Sequence, residues 1–335
     1  MKKQKYPLNQ CALYKCNTKK KLEQLLTIEQ GQLKLISSAI KYSHFEIDKK
    51  DSDKKRQITA PKYTLKRIQG RILQLLQYIE RPEWVIAGTK DKCYIDNGKY
   101  HIDCNYVLAM DIKSFYNNCK REYVYRFFKD KLLTSSDVAK LLTDIVTFDG
   151  IIPTGCPTSQ LIAYYAYKDM FSNIRQIAEN YGCKFTLYVD DMTFSSCKPF
   201  NKDALQRQID IELRRFGHKP KYSKVKYYSK NEDKPITGTI VTSHNILVAP
   251  NKLQHKVYNG LQDIKNPNPN DTTEETIKKI NTLKGRIQAS RNVEGEEKFP
   301  EIERITNIIS EQYKPEAIYP VSKPKRKKSK KIKIV

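Results

Sequence analysis

The sequence has few of the features that mark membrane, secreted or zinc-binding proteins. No apolar run approaches the ~18–20 residues that a membrane-spanning helix needs. The basic start MKKQK is not followed by the apolar stretch of a secretory signal. The eight cysteines form no CxxC pair and only five histidines are present, so neither a zinc site nor a disulfide framework is predicted. We therefore expect reduced thiols, a cytoplasmic location and no membrane partner.

Acidic residues are also in short supply. The chain has 37 Asp and Glu against 62 Lys and Arg, which gives a formal net charge of +25. Such an excess favours a polyanionic partner, because each phosphate that is neutralised releases condensed counterions. An anionic membrane surface is the competing interpretation, and the sequence favours nucleic acid over it. The 22 tyrosines suit stacking on bases or sugars, although most are expected in the core or at its boundary.

The first 80 residues combine helical patterns with one short strand. Apolar residues recur at helical spacing up to Ile40, so residues 1–50 are predicted to be helical. Residues 56–61 alternate and end at a proline, which predicts a strand, and residues 65–76 predict an amphipathic helix with cations on its outer face. This cationic face is either simply solvated or, beside a strand that carries Arg56, suited to a triphosphate or a template backbone.

Three carboxylates stand out in the middle of the chain. Asp190 and Asp191 lie between two runs rich in β-branched and aromatic residues, 185–189 and 192–195, which is a strand–turn–strand pattern. Asp111 ends the apolar run 106–111. Taken alone, the Asp pair fits a solvated acidic turn, and Asp111 fits a helix N-cap.

A strand end beside a hairpin can bring the three carboxylates together. Such a group makes a site for two divalent cations at roughly 3.5–4 Å spacing, Mg²⁺ or alternatively Mn²⁺. One cation activates an attacking hydroxyl, and both hold the phosphate during in-line displacement. The predicted reaction class is nucleotidyl transfer, with the positive charge of the chain supplying affinity for template and primer.

Downstream of the hairpin the patterns predict a strand, three helices and a basic tail. Residues 236–241 read as a strand with a glycine inside, which indicates a bulge or a close backbone approach. From Pro250 onward, apolar residues recur at helical spacing in three successive segments, and residues 271–274 suit the start of the middle one. Residues 323–333 hold eight Lys or Arg and no acid, which predicts a disordered basic tail.

These motifs resemble those of the reverse transcriptases. YVDD at 188–191 resembles the catalytic YxDD box of that family, and AMDIKSFY at 109–116 resembles its first carboxylate motif. The resemblance covers about residues 20–315 and implies that Asp111, Asp190 and Asp191 are catalytic metal ligands. It also implies five nucleotide-binding residues: Arg56 and Lys66 at the triphosphate, Tyr116 as the steric gate against a ribose 2′-OH, Gly155 in the pocket, and Lys224 after the catalytic hairpin.

Two further boxes resemble those of the bacterial retron reverse transcriptases. NGKYH at 97–101, which begins with a turn signal, resembles the retron NAxxH box with Gly in place of Ala. ITG at 236–238 resembles the retron VTG box with Ile in place of Val. A larger departure is Thr154, which stands where the family usually has Gln. The resemblance implies that the boxes contact or position a structured RNA through Asn97, His101, Ile236, Thr237 and Gly238.

The resemblance implies an α+β fold with a right-hand polymerase architecture: fingers, a palm built from an antiparallel sheet plus helices, and a helical thumb. The predicted boundaries are an N-terminal helical segment at 1–50, fingers at 51–105 and 117–150, a palm with the catalytic carboxylates at 106–116 and 151–245, a thumb at 246–315, and a basic, disordered tail at 316–335.

By the same resemblance, the chain is expected to be a retron RNA-directed DNA polymerase. It would copy part of a cognate structured noncoding RNA from dNTPs into RNA-linked single-stranded DNA, primed from a guanosine 2′-OH. A separate effector protein and a role in anti-phage defence are also implied. Two alternatives stay open: another defence-associated or intron-type reverse transcriptase, and a catalytically idle RNA-binding scaffold.

Overall fold

The computed structural model describes residues 4–48 and 55–313, together with Ile332 and Ile334, and it confirms an α+β fold. The helices are α1 Lys19–Leu26, α2 Ile36–Ala39, α3 Tyr63–Leu76, α4 Tyr94–Tyr100, α5 Phe115–Asn118, α6 Arg121–Arg126, α7 Ser136–Val146, α8 Ser159–Ala166, α9 Lys168–Asn180, α10 Lys202–Arg215, α11 Asn251–Lys265, α12 Thr273–Glu294 and α13 Pro300–Gln312. The strands are β1 Tyr42–Asp48, β2 Lys55–Pro61, β3 Tyr106–Asp111, β4 Lys184–Tyr188, β5 Asp191–Ser196, β6 Lys226–Tyr228, β7 Lys234–Ile236, β8 Thr239–Val241 and β9 Leu247–Val248. Within the described ranges, none of the helices has the length and apolar character that a membrane span requires.

A four-stranded antiparallel sheet, ordered β4-β5-β3-β6, forms the centre of the predicted palm. Its inner strand β3 carries the apolar run seen in the sequence, and Val107, Leu108 and Met110 are buried. A strand that is covered on both faces needs apolar residues at consecutive positions, which explains why this run does not alternate. Helix α9 packs against β4 and α10 through the buried residues Met170, Phe171, Ile174 and Ala178. The sheet is thus supported along its length, and its end presents the three aspartates.

The N-terminal segment is only partly helical. Strands β1 and β2 form an antiparallel ribbon that pairs Tyr42 with Pro61 and Asp48 with Lys55. The helical segment predicted over residues 1–50 is therefore wrong for residues 42–48, because their backbone hydrogen bonds go to β2. Helix α1 ends at Thr27, whose φ of 55° is left-handed. The strand and the amphipathic helix predicted at 56–61 and 65–76 are confirmed as β2 and α3.

A second, three-stranded sheet, ordered β7-β8-β9, packs beside α4. The strand predicted over residues 236–241 is instead the hairpin of β7 and β8, with Thr237 and Gly238 in its turn at φ of 44° and 86°. Gly238 thus serves a tight turn and not a bulge. The turn predicted at Asn97 is also wrong, because residues 97 and 98 lie inside α4. The side chain of Asp96 accepts a hydrogen bond from the Cys93 N–H at 2.7 Å and stabilises the start of that helix.

Helices α11, α12 and α13 form the three-helix unit that was predicted after Pro250. They share a hydrophobic core of their own, formed by Val257, Leu261, Ile264, Ile280, Leu283, Ile287, Phe299 and Ile302. A capping box between Thr272 and Glu275 begins α12, within the stretch expected from the sequence. The predicted boundaries of fingers, palm and thumb stay predictions.

Most of the basic tail predicted at 316–335 lies outside the described residues. Ile332 and Ile334 are described, and both are buried in the main core. The Ile332 N–H donates to the Thr27 carbonyl at 2.8 Å, and the Glu29 N–H donates to the Ile332 carbonyl at 3.1 Å. The Ile334 N–H donates to Gln32 Oε1 at 2.6 Å. The expectation of disorder is therefore wrong at these two positions, because their apolar side chains and backbone groups have partners in the N-terminal segment.

Candidate active site

The three aspartates meet at one end of the central sheet. Asp111 and Asp191 are directly opposed partners across β3 and β5, and Asp190 precedes Asp191 in the β4–β5 turn. The Ile112 N–H donates to the Asp190 carbonyl at 3.0 Å, and the Lys221 N–H donates to the Asp111 carbonyl at 2.7 Å. Backbone hydrogen bonds therefore fix the two chain segments that carry the carboxylates.

The connection between β4 and β5 is tight and strained. Tyr188 and Asp191 pair directly, so Val189 and Asp190 alone make the turn, and Val189 has a φ of 63°. The turn thus lies one residue earlier than the Asp190–Asp191 turn predicted from the sequence, because Asp191 pairs within β5. Positive φ is unusual for a β-branched residue. Strain of this kind persists only where the surrounding structure holds it, and it concentrates at functional sites. Here the sheet holds it, and the result is that two adjacent carboxylates stay beside Asp111.

Burial and mutual repulsion raise the pKa of the hairpin carboxylates. Desolvation, followed by the charges of Asp190 and Asp111, raises the pKa of Asp191 to about 6. Desolvation and the charge of Asp111 also raise the pKa of Asp190, against the opposing effect of Lys224 and Arg56. The negative charge of this cluster is thus only partly compensated by the protein, and the cluster attracts further cations.

Lys224 supplies one of the compensating charges. It ends the short 3₁₀ helix Tyr222–Lys224, and its ammonium forms a salt bridge with Asp111 Oδ2. Desolvation pulls the pKa of Lys224 down, but the hydrogen bond to Asp111 and the charges of all three aspartates outweigh it, so its pKa is raised. Its side chain is 52% exposed against 11% for Asp111, so Lys224 reaches the buried carboxylate from the solvent side.

The donor chemistry of the cluster fits a hard divalent cation, although the side chains are not arranged around one. No group of three or more His, Cys, Asp or Glu in the described part of the chain has a metal-binding arrangement. The Lys224 ammonium instead occupies an oxygen of Asp111. Clustered carboxylate oxygens are nevertheless the kind of ligand that Mg²⁺ and Mn²⁺ prefer. Asp111, Asp190 and Asp191 are therefore the residues that could hold the predicted cations.

Besides Lys224, two more of the predicted nucleotide-binding residues lie within electrostatic reach of this cluster. The charge of Arg56, which is exposed on β2, partly opposes the increase in the pKa values of Asp190 and Tyr116. Desolvation dominates at Tyr116, followed by the charge of Asp190, and together they raise its pKa. Lys66 is exposed on the first turn of α3 and is not among the charges that act on Asp190 or Asp191. The structure thus places Arg56 and Tyr116 near the carboxylates, and a role of Lys66 at the site stays a prediction.

The loop at 154–155 is bound to the predicted fingers. The Gly155 N–H donates to the Thr59 carbonyl at 3.1 Å, and the Thr154 hydroxyl donates to the Gln57 carbonyl at 3.2 Å. A Cβ at position 155 would lie 2.7 Å from the Thr59 carbonyl oxygen and 2.9 Å from Ile58 Cγ2, so only glycine fits. Thr154, which replaces the usual Gln, therefore ties the loop to the strand that carries Arg56.

The predicted RNA-binding residues are largely internal. Asn97, His101 and Ile236 are buried, Thr237 is half-buried, and Gly238 is exposed. Buried side chains cannot contact an RNA in this arrangement. Asn97 and His101 were predicted to contact or to position the RNA, and only a positioning role is compatible with their burial. Thr186 and Ser195, which hydrogen-bond to His101, and Thr239, which hydrogen-bonds to the Ile236 carbonyl, were not predicted from the sequence. The signal that could have revealed them is a polar side chain at a buried position of an otherwise apolar strand.

Comparison with known proteins relates this site to a family. The model of the family described as reverse transcriptase (RNA-dependent DNA polymerase) matches residues 47–257, well over half of the chain. The match includes all three aspartates, Lys224 and both retron-like boxes. It therefore begins at the end of β1, covers β2, the central sheet and the second sheet, and stops inside α11.

Curated relatives are retron reverse transcriptases. The Retron Se72 reverse transcriptase of Salmonella heidelberg is 28% identical over 193 residues, which cover 57% of this chain and 51% of that protein. The Retron Ec48 reverse transcriptase of Escherichia coli is 30% identical over 209 residues, 58% of this chain and 51% of that protein. The Retron Ec86 reverse transcriptase of Escherichia coli is 25% identical over 173 residues, 51% and 54% respectively. The chain thus spans about half the length of these relatives, and its resemblance to retron reverse transcriptases is confirmed.

One solved structure overlaps in part with this fold. Apo telomerase from Candida tropicalis, truncated from its C-terminal domain, aligns with 62% of this chain and 55% of its own at 11% identity and a TM-score of 0.47. This overlap is too low to bear on the fold or the function.

Proposed function

Because the chain belongs to the reverse transcriptase (RNA-dependent DNA polymerase) family, we propose that it is an RNA-directed DNA polymerase. The observation that carries the proposal is the meeting of Asp111, Asp190 and Asp191 at the end of the central sheet, where the pKa values of the hairpin pair are raised. A surface turn would leave its carboxylates solvated and far from a third one. This arrangement supports a catalytic site over the solvated acidic turn that also fits the Asp pair taken alone.

The proposed cofactor is a pair of Mg²⁺ ions, with Mn²⁺ as the alternative, held by the three aspartates. When bound, such ions lower the pKa of an attacking hydroxyl and neutralise charge on the transferred phosphate. Arg56 and Lys66 bind the triphosphate of the incoming dNTP, and Tyr116 excludes a ribose 2′-OH. Lys224 neutralises part of the carboxylate charge from the solvent side.

Gly155 shapes the nucleotide pocket through its backbone. Its lack of a Cβ lets the 154–155 loop lie against β2, the strand that carries Arg56. The loop therefore sets the distance between the nucleotide pocket and the predicted fingers, and the backbone takes over part of what a Gln side chain at 154 would supply.

The retron character is proposed from the resemblance of the two boxes and of the curated relatives. The template would be part of a cognate structured noncoding RNA, and the primer a guanosine 2′-OH within it. The product would be RNA-linked single-stranded DNA, the msDNA of retrons. A cytoplasmic location, a separate effector protein and a role in anti-phage defence belong to the same proposal. The net charge of +25 supports a large RNA partner.

The experiment that tests the proposal is DNA synthesis by the purified chain on a primed RNA template. The double variant Asp190→Asn/Asp191→Asn should lose synthesis by roughly 1,000-fold or more, because several kcal/mol of charge stabilisation disappear with the ligands. Asp103→Asn, an exposed aspartate before β3, is the matched control and should keep wild-type rates. Unchanged synthesis by the double variant would show that the site is assigned wrongly.

The same assay separates the alternatives. Sequencing the 5′ end of DNA made on co-purified RNA detects a 2′–5′ branch, which the retron proposal requires and another priming mode lacks. Tight RNA binding without incorporation of labelled dNTP would favour an idle scaffold.

A further inference from the structure

The two retron-like boxes contact each other although they are far apart in the sequence. The Asn97 side-chain amide on α4 donates to the Thr237 hydroxyl in the β7–β8 turn at 2.6 Å, although 140 positions separate the two residues. Asn97 is fully buried, while Thr237 is half-buried. From the sequence, the boxes were predicted as two separate RNA-binding motifs. In the structure they are joined by this hydrogen bond.

Gly98 brings α4 against the hairpin as closely as backbone allows. A Cβ at this position would lie 2.3 Å from Thr239 Oγ1 and 2.7 Å from Leu247 Cδ1. Thr239 is buried and its hydroxyl donates to the Ile236 carbonyl at 2.8 Å, so it has no freedom to withdraw. Glycine is unfavourable inside a helix, and here its absent side chain makes room for the neighbouring sheet.

The turn residue Thr237 has a backbone conformation that its side chain disfavours. Its φ is 44°, and the next residue Gly238 has a φ of 86°. Turns of this kind prefer Asn, Asp or Gly, and a β-branched residue there is an outlier. Asn or Gly would relieve the strain, but neither carries the hydroxyl that accepts from Asn97. The strained residue is thus the one that makes the contact between the boxes.

His101 joins the other end of α4 to the strands of the active site. One ring nitrogen lies 2.7 Å from the Thr186 hydroxyl on β4, and the other lies 2.6 Å from the Ser195 hydroxyl on β5. His101 is fully buried, and desolvation, with a smaller effect of Lys184, lowers its pKa to about 3. The ring is therefore neutral, and both of its nitrogens are used within the protein.

The three-stranded sheet that contains the β7–β8 hairpin is in turn attached to the three-helix unit, at the end of β9. The Ala249 N–H donates to Glu294 Oε1 at the end of α12 at 2.9 Å. Val293 of the same helix packs on a small hydrophobic cluster made of Ile95, Val107, Ile236, Val241 and Leu247. This cluster contains residues of α4, β3, β7, β8 and β9, so palm, α4, hairpin and thumb meet at one place.

We infer that Asn97, Gly98, His101, Thr237 and Thr239 form an interdomain clamp that positions the thumb relative to the catalytic sheet, and that the boxes act on the RNA through this placement. The inference rests on the proposed polymerase function, because a positioned thumb matters for holding the template–primer duplex between successive additions. Asn97, His101 and Thr237 are positioning residues in this account. Their side-chain hydrogen bonds go to one another, to Thr186 and to Ser195, and not to the aspartates.

The test breaks the Asn97–Thr237 contact from either side in the full chain. Thr237→Val removes the hydroxyl and keeps the branched shape, Asn97→Ala removes the donor, and Thr237→Ser restores the hydroxyl. Asn105→Ala is the matched control, because the Asn105 amide donates to the Cys197 carbonyl at 3.1 Å outside the clamp. The readouts are hydrogen exchange of the β7–β8 amides, the number of nucleotides added per binding event, and KM for dNTP in single additions.

The clamp predicts a split between these readouts. Thr237→Val and Asn97→Ala should each speed exchange of the hairpin at least tenfold and shorten extension at least fivefold, while KM for dNTP stays within twofold. The double variant should match the single ones, since all three lose the same bond. Thr237→Ser should recover at least half of each loss, and Asn105→Ala should behave as wild type. Because Thr237 lies in a half-exposed turn, the Val and Ser variants keep the test valid if Asn97→Ala does not fold.

Other outcomes overturn the clamp. Unchanged hairpin exchange with a loss of affinity for the cognate RNA alone would mean that the boxes read the RNA directly. Additive losses in the double variant would mean that the two residues act independently. A wild-type chain that makes no DNA on any template would defeat the proposed function, while exchange and additivity would still decide the clamp.

Discussion

Replacing Asp191 by Asn should make the metal-free protein more stable while it inactivates the site. Asp191 is half-buried, and its pKa is raised from 3.8 to about 6 by desolvation and by the charges of Asp190 and Asp111. One pKa unit corresponds to ~1.36 kcal/mol, so charging this carboxylate costs the folded state at most about 3 kcal/mol. Partial exposure to solvent screens the repulsion and reduces the expected gain to roughly 1–2 kcal/mol. For a chain of this size that gain raises Tm by about 1–3 °C.

The pH dependence of this gain follows from linkage. A carboxyl whose pKa is raised on folding stabilises the protein when protonated, and this contribution is lost as the pH rises from 3.8 toward about 6. The Asn variant imitates the protonated form at every pH. Its advantage over wild type should therefore be absent below pH ~4, grow between pH ~4 and ~6, and stay constant above pH ~7.

The assay is denaturant unfolding of wild type and Asp191→Asn at pH 4, 6 and 8 with a chelator present. Asp103→Asn serves as the control, and we expect a change of less than ~0.5 kcal/mol from this exposed position at each pH. Added Mg²⁺ at pH 8 should stabilise wild type more than the variant, since a ligand stabilises the state that binds it. A variant that is no more stable than wild type at pH 8 in chelator would refute the argument that burial and the neighbouring carboxylates make the charge of Asp191 unfavourable.

Two further substitutions test the nucleotide pocket. Gly155→Ala places a Cβ 2.7 Å from the Thr59 carbonyl oxygen, so it should destabilise the chain by about 1–3 kcal/mol and raise KM for dNTP about tenfold in steady-state extension. Gly70→Ala, whose Cβ would meet nothing within 4 Å in α3, is its control and should stabilise by ~0.5–1 kcal/mol. Tyr116→Ala should raise the incorporation of ribonucleotides relative to dNTPs by about tenfold or more in competition assays, because the proposed steric gate is removed. A ratio unchanged from wild type would remove Tyr116 from that role.

The carboxylate hairpin could be predicted because its signals are local. A run rich in β-branched and aromatic residues, a tight turn and a second such run indicate β4 and β5 within 13 residues, from Lys184 to Ser196. Asp111 could also be identified from the sequence, because it directly follows an apolar run. The run is apolar throughout because both faces of the strand are covered. Asp111 comes next to the Asp190–Asp191 pair because β3 and β5 are paired in the sheet.

The misassigned segments are those whose structure depends on a distant partner. Residues 42–48 are held in a strand by β2, and nothing within them opposes a helix strongly. Asn97 and Gly98 carry a turn signal, yet they lie inside α4 because Gly98 packs on Thr239. The docking of Ile332 and Ile334 likewise depends on the segment from Thr27 to Gln32, at the other end of the chain.

The clamp and the carboxylates share two strands, and this arrangement explains why the boxes could matter without touching the chemistry. Asp191 begins β5 and Ser195, the partner of His101, lies four positions further along the same strand. At about 3.3 Å per residue these positions are ~13 Å apart along the strand, beyond the reach of a hydrogen bond. The neutral imidazole also carries no charge to the site. An effect of His101 on synthesis must therefore act through the position of the β4–β5 hairpin. This hairpin carries Asp190 in its turn and Asp191 at the start of β5, and Thr186 and Ser195 of its strands bind His101 at the end of α4.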